Sequence, residues 1–448
     1  MNNNNSSSAP QSLTYHAKPG GEISGTFRVP GDKSISHRAI MFGSIAAGTT
    51  RASGFLEGED TLATLQAFTQ MGVSIERPET GVVEIHGVGL HGLTAPEVAL
   101  DVGNSGTSMR LLSGLLAGQA FNSTLTGDRS LQKRPMKRVT EPLRTMGAQI
   151  TTTELGTAPI QIKGSSHLQG IHYPMPIASA QVKSCLLLAG LYADGETSVT
   201  EPAPTRDHTE RMLASFGYQV IRKDGRIAVH SGQLLTATQL DIPADISSAA
   251  FFLVAASIAK NSELTLQHVG INPTRTGVID ILKLMGADIE ISNQHMAGAE
   301  LVADLTVRSC QLHGIQIPEH LVPLAIDEFP VLFVAAACAT GETILTGAEE
   351  LRVKESDRIQ VMADGLTILG IEAQPTTDGI QITGGQITGG QVDSHGDHRI
   401  AMAFSMAALV AKETIVIKDC ENVNTSFPGF ITLAQQAGLN IEMRGAES

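Results

Sequence analysis

Nine cations stand at or near the starts of segments with helical character: Lys33, Arg38, Arg110, Lys133, Arg134, Arg206, Lys354, Arg358 and Arg399. A cation there opposes the helix dipole, so a purely structural role would place it at the other end. Their recurrence points to a polyanionic ligand, and Arg is the side chain best matched to carboxylate and phosphate. Acid–base groups must then lie among the cations. Asp327 stands just before the apolar run that opens at Phe329, and Glu355 lies within Arg352-Val353-Lys354-Glu355-Ser356-Asp357-Arg358. Neighbouring cations favour the ionised carboxylate and burial opposes it, a balance the sequence leaves open. His37 and His398 flank Arg38 and Arg399, and each fits a proton carrier and a hydrogen-bonded structural histidine equally well.

The elements that must position these groups repeat. Pro30-Gly31-Asp32-Lys33-Ser34-Ile35-Ser36-His37-Arg38 leads straight into an apolar run over residues 39–47, the layout of an anion seat at a helix start. Five more polar caps precede apolar helices: Gly103-Asn104-Ser105-Gly106-Thr107, Ala178-Ser179-Ala180-Gln181, Asp245-Ile246-Ser247-Ser248, Asp327-Glu328-Phe329-Pro330 and Asp397-His398-Arg399. Asp245 and Asp397 read as N-caps. A second marker keeps the same beat, a glycine that ends an amphipathic helix at Gly72, Gly147, Gly217, Gly286, Gly370 and Gly438. Six copies of one unit are a stronger signal than any single motif. No GKS/T and no helix-opening GxGxxG occurs, so a nucleotide site is not supported.

Within a unit, buried helix, strand, amphipathic helix and further short strands alternate. This predicts an α/β fold of two domains, each with three βαβαββ-type units around buried parallel helices, an inverse α/β barrel. The last unit breaks off after Ile441 and lacks its final strands, whereas residues 13–29 carry two strand-like pieces with no unit of their own. We therefore expect the N-terminal segment to complete the last unit. Residues 32–243 then form a contiguous domain, and residues 1–31 with 244–448 a discontinuous one in which 1–12 are a flexible tail. The crossings fall near 30–32 and 243–245, where Pro-Gly-Asp and Pro-Ala-Asp suit two parallel hinges or two ordinary turns.

Composition narrows the partners. At 448 residues the chain exceeds one ordinary core. A formal charge of −14 argues against nucleic acid or an anionic membrane as the main partner. The apolar runs are too short to span a bilayer. Cys185, Cys310, Cys338 and Cys420 lack CxxC spacing, which fits free thiols in a reducing, cytoplasmic setting, and no paired Cys/His motif suggests a zinc site.

As a set, Pro-Gly-Asp-Lys-Ser-Ile-Ser-His-Arg, Gly-Asn-Ser-Gly-Thr, Lys-Arg-Pro-Met, Ser-Ala-Gln-Val-Lys-Ser, Arg-Val-Lys-Glu-Ser-Asp-Arg and Asp-His-Arg-Ile-Ala-Met resemble the 5-enolpyruvylshikimate-3-phosphate synthase family over about residues 20–440. The resemblance implies two domains that close on substrate and transfer of the enolpyruvyl group of phosphoenolpyruvate to the 5-hydroxyl of shikimate 3-phosphate, in a monomer with neither metal nor organic cofactor. It implies that Lys33, Ser34, Arg38, Ser179, Ala180, Gln181, Arg206, Asp327 and Lys354 hold shikimate 3-phosphate. Phosphoenolpyruvate would lie against Lys33, Asn104, Gly106, Arg134, Gln181, Arg358 and Arg399. Asp327 would accept the 5-hydroxyl proton, Glu355 would protonate the methylene carbon, and Lys33 competes for part of that proton traffic.

Some positions depart from the better-known branch of the family. Ala180 replaces a second Ser, Pro204-Thr205-Arg206 stands where a Tyr is usual, Leu111 stands where a Pro is usual, and Thr425 replaces a Lys that contacts phosphoenolpyruvate. This combination resembles a second branch whose inhibitor-tolerant members carry Ala at the position of Gly106; with Gly here, glyphosate is expected to compete with phosphoenolpyruvate. A sister transferase acting on a UDP-amino sugar would be expected to carry Lys-Asn at the first seat, where Lys33 is followed by Ser34. A non-catalytic repeat scaffold would explain the repeat but not the cations.

Overall fold

The computed structural model describes residues 13–164 and 167–445; the tail expected over residues 1–12 lies outside the described residues. All six apolar runs are helices: Lys33–Ile45, Gly106–Ala117, Ala180–Gly190, Ile246–Ile258, Phe329–Cys338 and His398–Ala407. They have no polar face to offer water and are buried on nearly every side. Their packing is close. A Cβ at Gly114 would fall 2.0 Å from the Cys185 carbonyl oxygen, so glycine is what lets the Gly106 and Ala180 helices approach.

Six outer helices cover the sheets: Glu59–Gln70, Lys137–Thr145, His208–Ser215, Gly277–Leu284, Arg358–Ile368 and Phe430–Ala437. The marker glycines Gly72, Gly147, Gly217, Gly286, Gly370 and Gly438 end them with φ of 89, 97, 80, 93, 83 and 115°, the left-handed stop that a side chain would strain.

The sheet of the second unit shows the plan. Its order is Leu100–Asp101, Ser123–Thr126, Ile160–Lys163, Gln149–Thr151, with the first pair parallel and the others antiparallel. The parallel pair is the one that spans an inner helix, because only a crossover of that length can return a parallel strand. The fifth unit keeps three strands, Glu342–Leu345, Ile380–Thr383 and Glu372–Pro375, with isolated parallel bridges from His313 to Thr340 and from Gln316 to Ile344 where the edge strand would be.

The first and last units are completed from a distance. Thr14–Ala17 lies between Ile415–Lys418 and Ile441–Arg444, antiparallel to both, and so supplies the strand the last unit lacks. Ser24–Phe27 then pairs in parallel with Glu263–Gly270, and Gln239–Asp241 with Ala47–Ser53. Each circle of three units is thereby closed.

Two hydrophobic cores result, one from Tyr15 to Val29 together with Ala244 to Ile441, the other from Ile35 to Ile242. Between them the chain crosses twice, and the crossings are hydrogen-bonded to each other: Asp32 N donates to Pro243 O at 2.8 Å and Asp245 N to Pro30 O at 2.9 Å. The Gly31–Ala244 bridge is antiparallel, not parallel as near-identical sequences suggest, because the chain crosses outward once and returns.

Candidate active site

The polar starts of the inner helices meet between the two cores. Side chains cap five of them: Asp32 accepts from Ile35 N at 2.9 Å, Ser105 from Ser108 N at 3.1 Å, Ser179 from Val182 N at 3.4 Å, Asp245 from Ser247 N at 2.8 Å and Asp397 from Arg399 N at 3.0 Å. The Phe329 helix has no side-chain cap. Asp327 is thus free of capping duty, and cations surround it instead. Arg206 Nη2 lies 2.5 Å from Oδ2, Arg358 Nη1 3.4 Å and Lys354 Nζ 3.5 Å from Oδ1, while Arg399 donates to its backbone oxygen at 3.0 Å.

Glu355 is held by two guanidiniums, Arg134 Nη1 at 3.0 Å and Arg358 Nη2 at 2.6 Å. Arg358 is fully buried and also reaches Asp397 Oδ2 at 2.8 Å, so one side chain orients three carboxylates. Arg134 and Arg206 are anchored on the 35–242 core, whereas Glu355 and Asp327 belong with the other, so both pairs span the cleft. On the 35–242 side, Arg134 donates to Asn104 Oδ1 at 2.6 Å, Arg110 to Gln181 Oε1 at 2.8 Å, and Gln181 to Thr107 Oγ1 at 3.1 Å. Lys33 pairs with the buried Asp60 and donates to Ser426 Oγ at 2.8 Å.

Electrostatics resolve the balance left open above. Burial alone would raise the carboxyl of Asp327, but Arg206, Lys354, Arg399 and Arg358 hold it well below the ordinary carboxylate range. Burial likewise opposes ionisation of Glu355, and Arg358 and Arg134 pull it well below its ordinary value. Arg38 differs. Its three hydrogen bonds go to neutral oxygens, Thr209 Oγ1 at 2.8 Å, Ser34 O at 2.9 Å and Ser184 Oγ at 2.9 Å, and burial lowers it to about 10. A guanidinium still charged at neutral pH, whose nearby carboxylates Glu210 and Asp32 act on it without pairing directly among the described residues, suits an incoming anion.

These shifts give a stability prediction. Folded-state values of Asp327 and Glu355 lie below the unfolded ones, so their contribution is fully present above the ordinary carboxylate range near about 4 and is lost as pH falls through the depressed values. The thermal midpoint should therefore fall on acidification below about pH 4, and should fall less in Asp327→Asn. Calorimetry from neutral to acid pH checks this; an identical acid slope in parent and variant would contradict it.

The cations fall into two sets, and not at one place in the repeat as the sequence suggests. Lys33, Arg38, Arg110 and Arg399 lie on inner helices. Lys133, Arg134, Arg206, Lys354 and Arg358 come from loops that lead into outer helices, or from the first residue of one, and these loops fold over the cleft. Lys133 is exposed. Ser34, Ser179 and Ala180 sit half-buried at the first and third helix starts, and Gly106 opens the second. His37 takes the structural alternative, fully buried with Nδ1 2.8 Å from Thr64 Oγ1. Asp245 and Asp397 are caps and ion-pair partners at once, bonded to Arg275 and Arg358.

Sequence reasoning passed over Asp60 and Arg275. Asp60 reads as an ordinary first-turn acid of the Glu59 helix. Arg275, in Asn272-Pro273-Thr274-Arg275-Thr276, carries no local signal, yet its buried guanidinium reaches Asp32 at 3.1 Å, Asp245 at 3.3 Å and Glu328 at 3.7 Å. Glu328 is the apolar run's forgotten neighbour, accepting from Ser247 Oγ at the next helix start.

Two domains of threefold repeats, with paired carboxylates inside a ring of cations at their interface, define a group-transfer enzyme for small polyanions. Residues 17–433 match the sequence model described as EPSP synthase (3-phosphoshikimate 1-carboxyvinyltransferase), and the chain belongs to that family. It is 67% identical over 431 residues to the 3-phosphoshikimate 1-carboxyvinyltransferase of Methylococcus capsulatus, covering 96% of this chain and 99% of that protein. The enzyme of the same name from Alkalilimnicola ehrlichii is 65% identical over 436 residues, covering 97% and 98%. Among solved structures, EPSP synthase from Acinetobacter baumannii superposes with a TM-score of 0.87 at 60% identity, covering 97% of this chain and 100% of that one. The enolpyruvyl transferase NikO from Streptomyces tendae shares the fold at 15% identity, with a TM-score of 0.81 over 98% of this chain and 100% of that one.

Proposed function

We propose that the chain transfers the enolpyruvyl group of phosphoenolpyruvate to the 5-hydroxyl of shikimate 3-phosphate and releases phosphate. Family membership supports the reaction. The observation that carries it to particular residues is the pair Asp327 and Glu355, each half-buried and each held by cations from both cores. Asp327 accepts the proton of the 5-hydroxyl as that oxygen bonds to C2, and Glu355 delivers a proton to C3. The tetrahedral adduct then loses phosphate while a C3 proton returns to Glu355.

A carboxylate pulled down by cations is a weak base, and a proton donor must first be protonated. Substrate binding answers both needs. Lys33, Asn104, Gly106, Arg134, Gln181, Arg358 and Arg399 line the seat of phosphoenolpyruvate, and Lys33, Ser34, Arg38, Ser179, Ala180, Gln181, Arg206 and Lys354 that of shikimate 3-phosphate. As their anions occupy Arg134, Arg358, Arg206 and Lys354, Glu355 and Asp327 lose counter-charge and their proton affinity rises. Mixing protein with both substrates and assaying phosphate tests the reading; no release across a range of pH would sink it.

The functional bodies are residues 32–243 and residues 1–31 with 244–448, a division supported by which residues share each core. Their crossings near 30–32 and 243–245 act as the hinge for closure of a monomer in the cytoplasm; no helix among the described residues is long and apolar enough to cross a membrane. Small-angle scattering should report a smaller radius on adding shikimate 3-phosphate with glyphosate, and an unchanged profile would count against closure.

Glyphosate, itself a small polyanion, competes for the phosphoenolpyruvate seat. A Cβ at Gly106 would lie 2.9 Å from Arg110 Nη1 and 3.2 Å from Arg134 Nη1, so a methyl there displaces the guanidiniums that line it. Gly106→Ala should raise the glyphosate concentration for half-inhibition by roughly tenfold, the order expected for crowding by one methyl. Uninhibited turnover of the parent at millimolar glyphosate, with phosphoenolpyruvate near its KM, would refute competition.

A further inference from the structure

We infer that Ser426 is a positioning residue for the proposed transfer, aiming the Lys33 ammonium into the cleft and tying it across the domain boundary to His398. The inference rests on the transferase reading and adds a residue to it. Lys33 Nζ has one partner from its own side, Asp60, and one from the other, Ser426 Oγ at 2.8 Å. An ammonium can only donate, so Ser426 accepts. The serine's own hydrogen then needs an acceptor, and His398 Nε2 lies 3.1 Å from Oγ, nearer than Thr425 Oγ1 at 3.5 Å. Burial, with Lys33 and Arg399 nearby, holds His398 well below its ordinary pKa, so the ring is neutral and Nε2 can present a lone pair. The bonds therefore run in one direction, from Lys33 through Ser426 to His398. Two of the three ammonium hydrogens are thereby assigned, and the third is free for a substrate oxygen.

The neighbouring side chain does not share this role. Thr425, which stands where the family's better-known branch has a lysine, is buried and donates to Asn422 O at 2.6 Å within its own turn, Glu421–Thr425. Its backbone is pressed against the opposite side, since a Cβ on Gly58 would fall 2.7 Å from Thr425 O. The turn is thus seated beside the start of the Glu59 helix that carries Asp60, and the next residue, Ser426, is delivered to Lys33. Asp60 and Ser426 grip one ammonium from two domains, so its aim depends on how those domains meet.

The test compares Ser426→Ala and Ser426→Thr with the parent in the phosphate-release assay, with the dissociation constant of shikimate 3-phosphate measured by calorimetry. Loss of a hydrogen bond to a charged group predicts that kcat/KM for phosphoenolpyruvate falls about ten- to hundredfold in Ser426→Ala. Shikimate 3-phosphate, which Lys33 also contacts, should lose less affinity than that, and Ser426→Thr, which keeps the hydroxyl, should recover most of the loss. A Ser426→Ala within threefold of the parent, an equal loss of shikimate 3-phosphate affinity, or a Ser426→Thr as impaired as Ser426→Ala would overturn the inference. If the parent releases no phosphate, the transferase reading fails instead. Should Ser426→Ala not fold, the His398→Asn variant gives the same comparison, because the chain predicts a loss on the same substrate term.

Discussion

Asp327→Asn should lower the rate of phosphate release by about 10²- to 10⁴-fold, the range that a positioned general base contributes, without weakening the binding of either anionic substrate. The amide keeps the shape of the carboxylate but has a single acceptor oxygen, so it can accept from Arg206 or from Arg358, whose nitrogens lie 2.5 Å from Oδ2 and 3.4 Å from Oδ1, and not from both. What it loses is the capacity to take a proton and the negative charge that offsets four cations. With that charge gone, the cleft becomes more positive, and substrate affinity should hold or rise. A selective fall in kcat therefore separates proton transfer from binding. Steady-state phosphate release with substrate dissociation constants measured in parallel checks this; a variant within tenfold of the parent rate would remove Asp327 from the role of base.

Replacing Arg275 by Met should cost about 3 to 5 kcal/mol of stability, the range for breaking a buried ion pair by deleting one partner. Its guanidinium is 3% exposed and sits among Asp32, Asp245 and Glu328. Burial opposes its charge, yet these carboxylates raise its pKa, so the cluster favours the charged form. Met keeps much of the volume but leaves three buried acids facing one another. Two of those acids also cap the helices that follow the crossings, so the loss reaches the start of the Lys33 helix. Urea denaturation reads the effect, and Arg275→Lys should fall between parent and Met because a single ammonium cannot fork to Asp32 and Asp245 together. A Met variant within 1 kcal/mol of the parent would show that the cluster adds nothing to stability.

Much of this was legible in the sequence because it is periodic. The run from Phe251 to Ala256 can only be a helix buried on all sides, and Gly286 after Met285 can only end one, so the six-unit frame follows from local rules. The strand at Thr14–Ala17 was deducible by subtraction, as the one piece its own surroundings could not use. Lys33 and Glu355 were found because cation and carboxylate sit within recognisable strings. Arg275, Asp60 and Ser426 were not, since their partners are 243, 27 and 393 residues away in the chain and nothing local distinguishes them from surface polar residues. Contacts made across the cleft depend on how two finished domains meet, which no local pattern encodes. The difference between inner-helix cations and loop cations was lost for the same reason.

The placement of Thr14–Ala17 between Ile415–Lys418 and Ile441–Arg444 also sets an order of events during synthesis. The domain built on residues 35–242 can close its sheets as soon as Gln239–Asp241 leaves the ribosome. The strand made before it must wait for its partners until nearly the whole chain has been translated, on the order of tens of seconds at usual elongation rates. Throughout that interval its backbone is an unpaired template for other nascent chains. Production of the enzyme should therefore depend on whatever shields the strand Thr14–Ala17 on the ribosome more than on the stability of the finished fold.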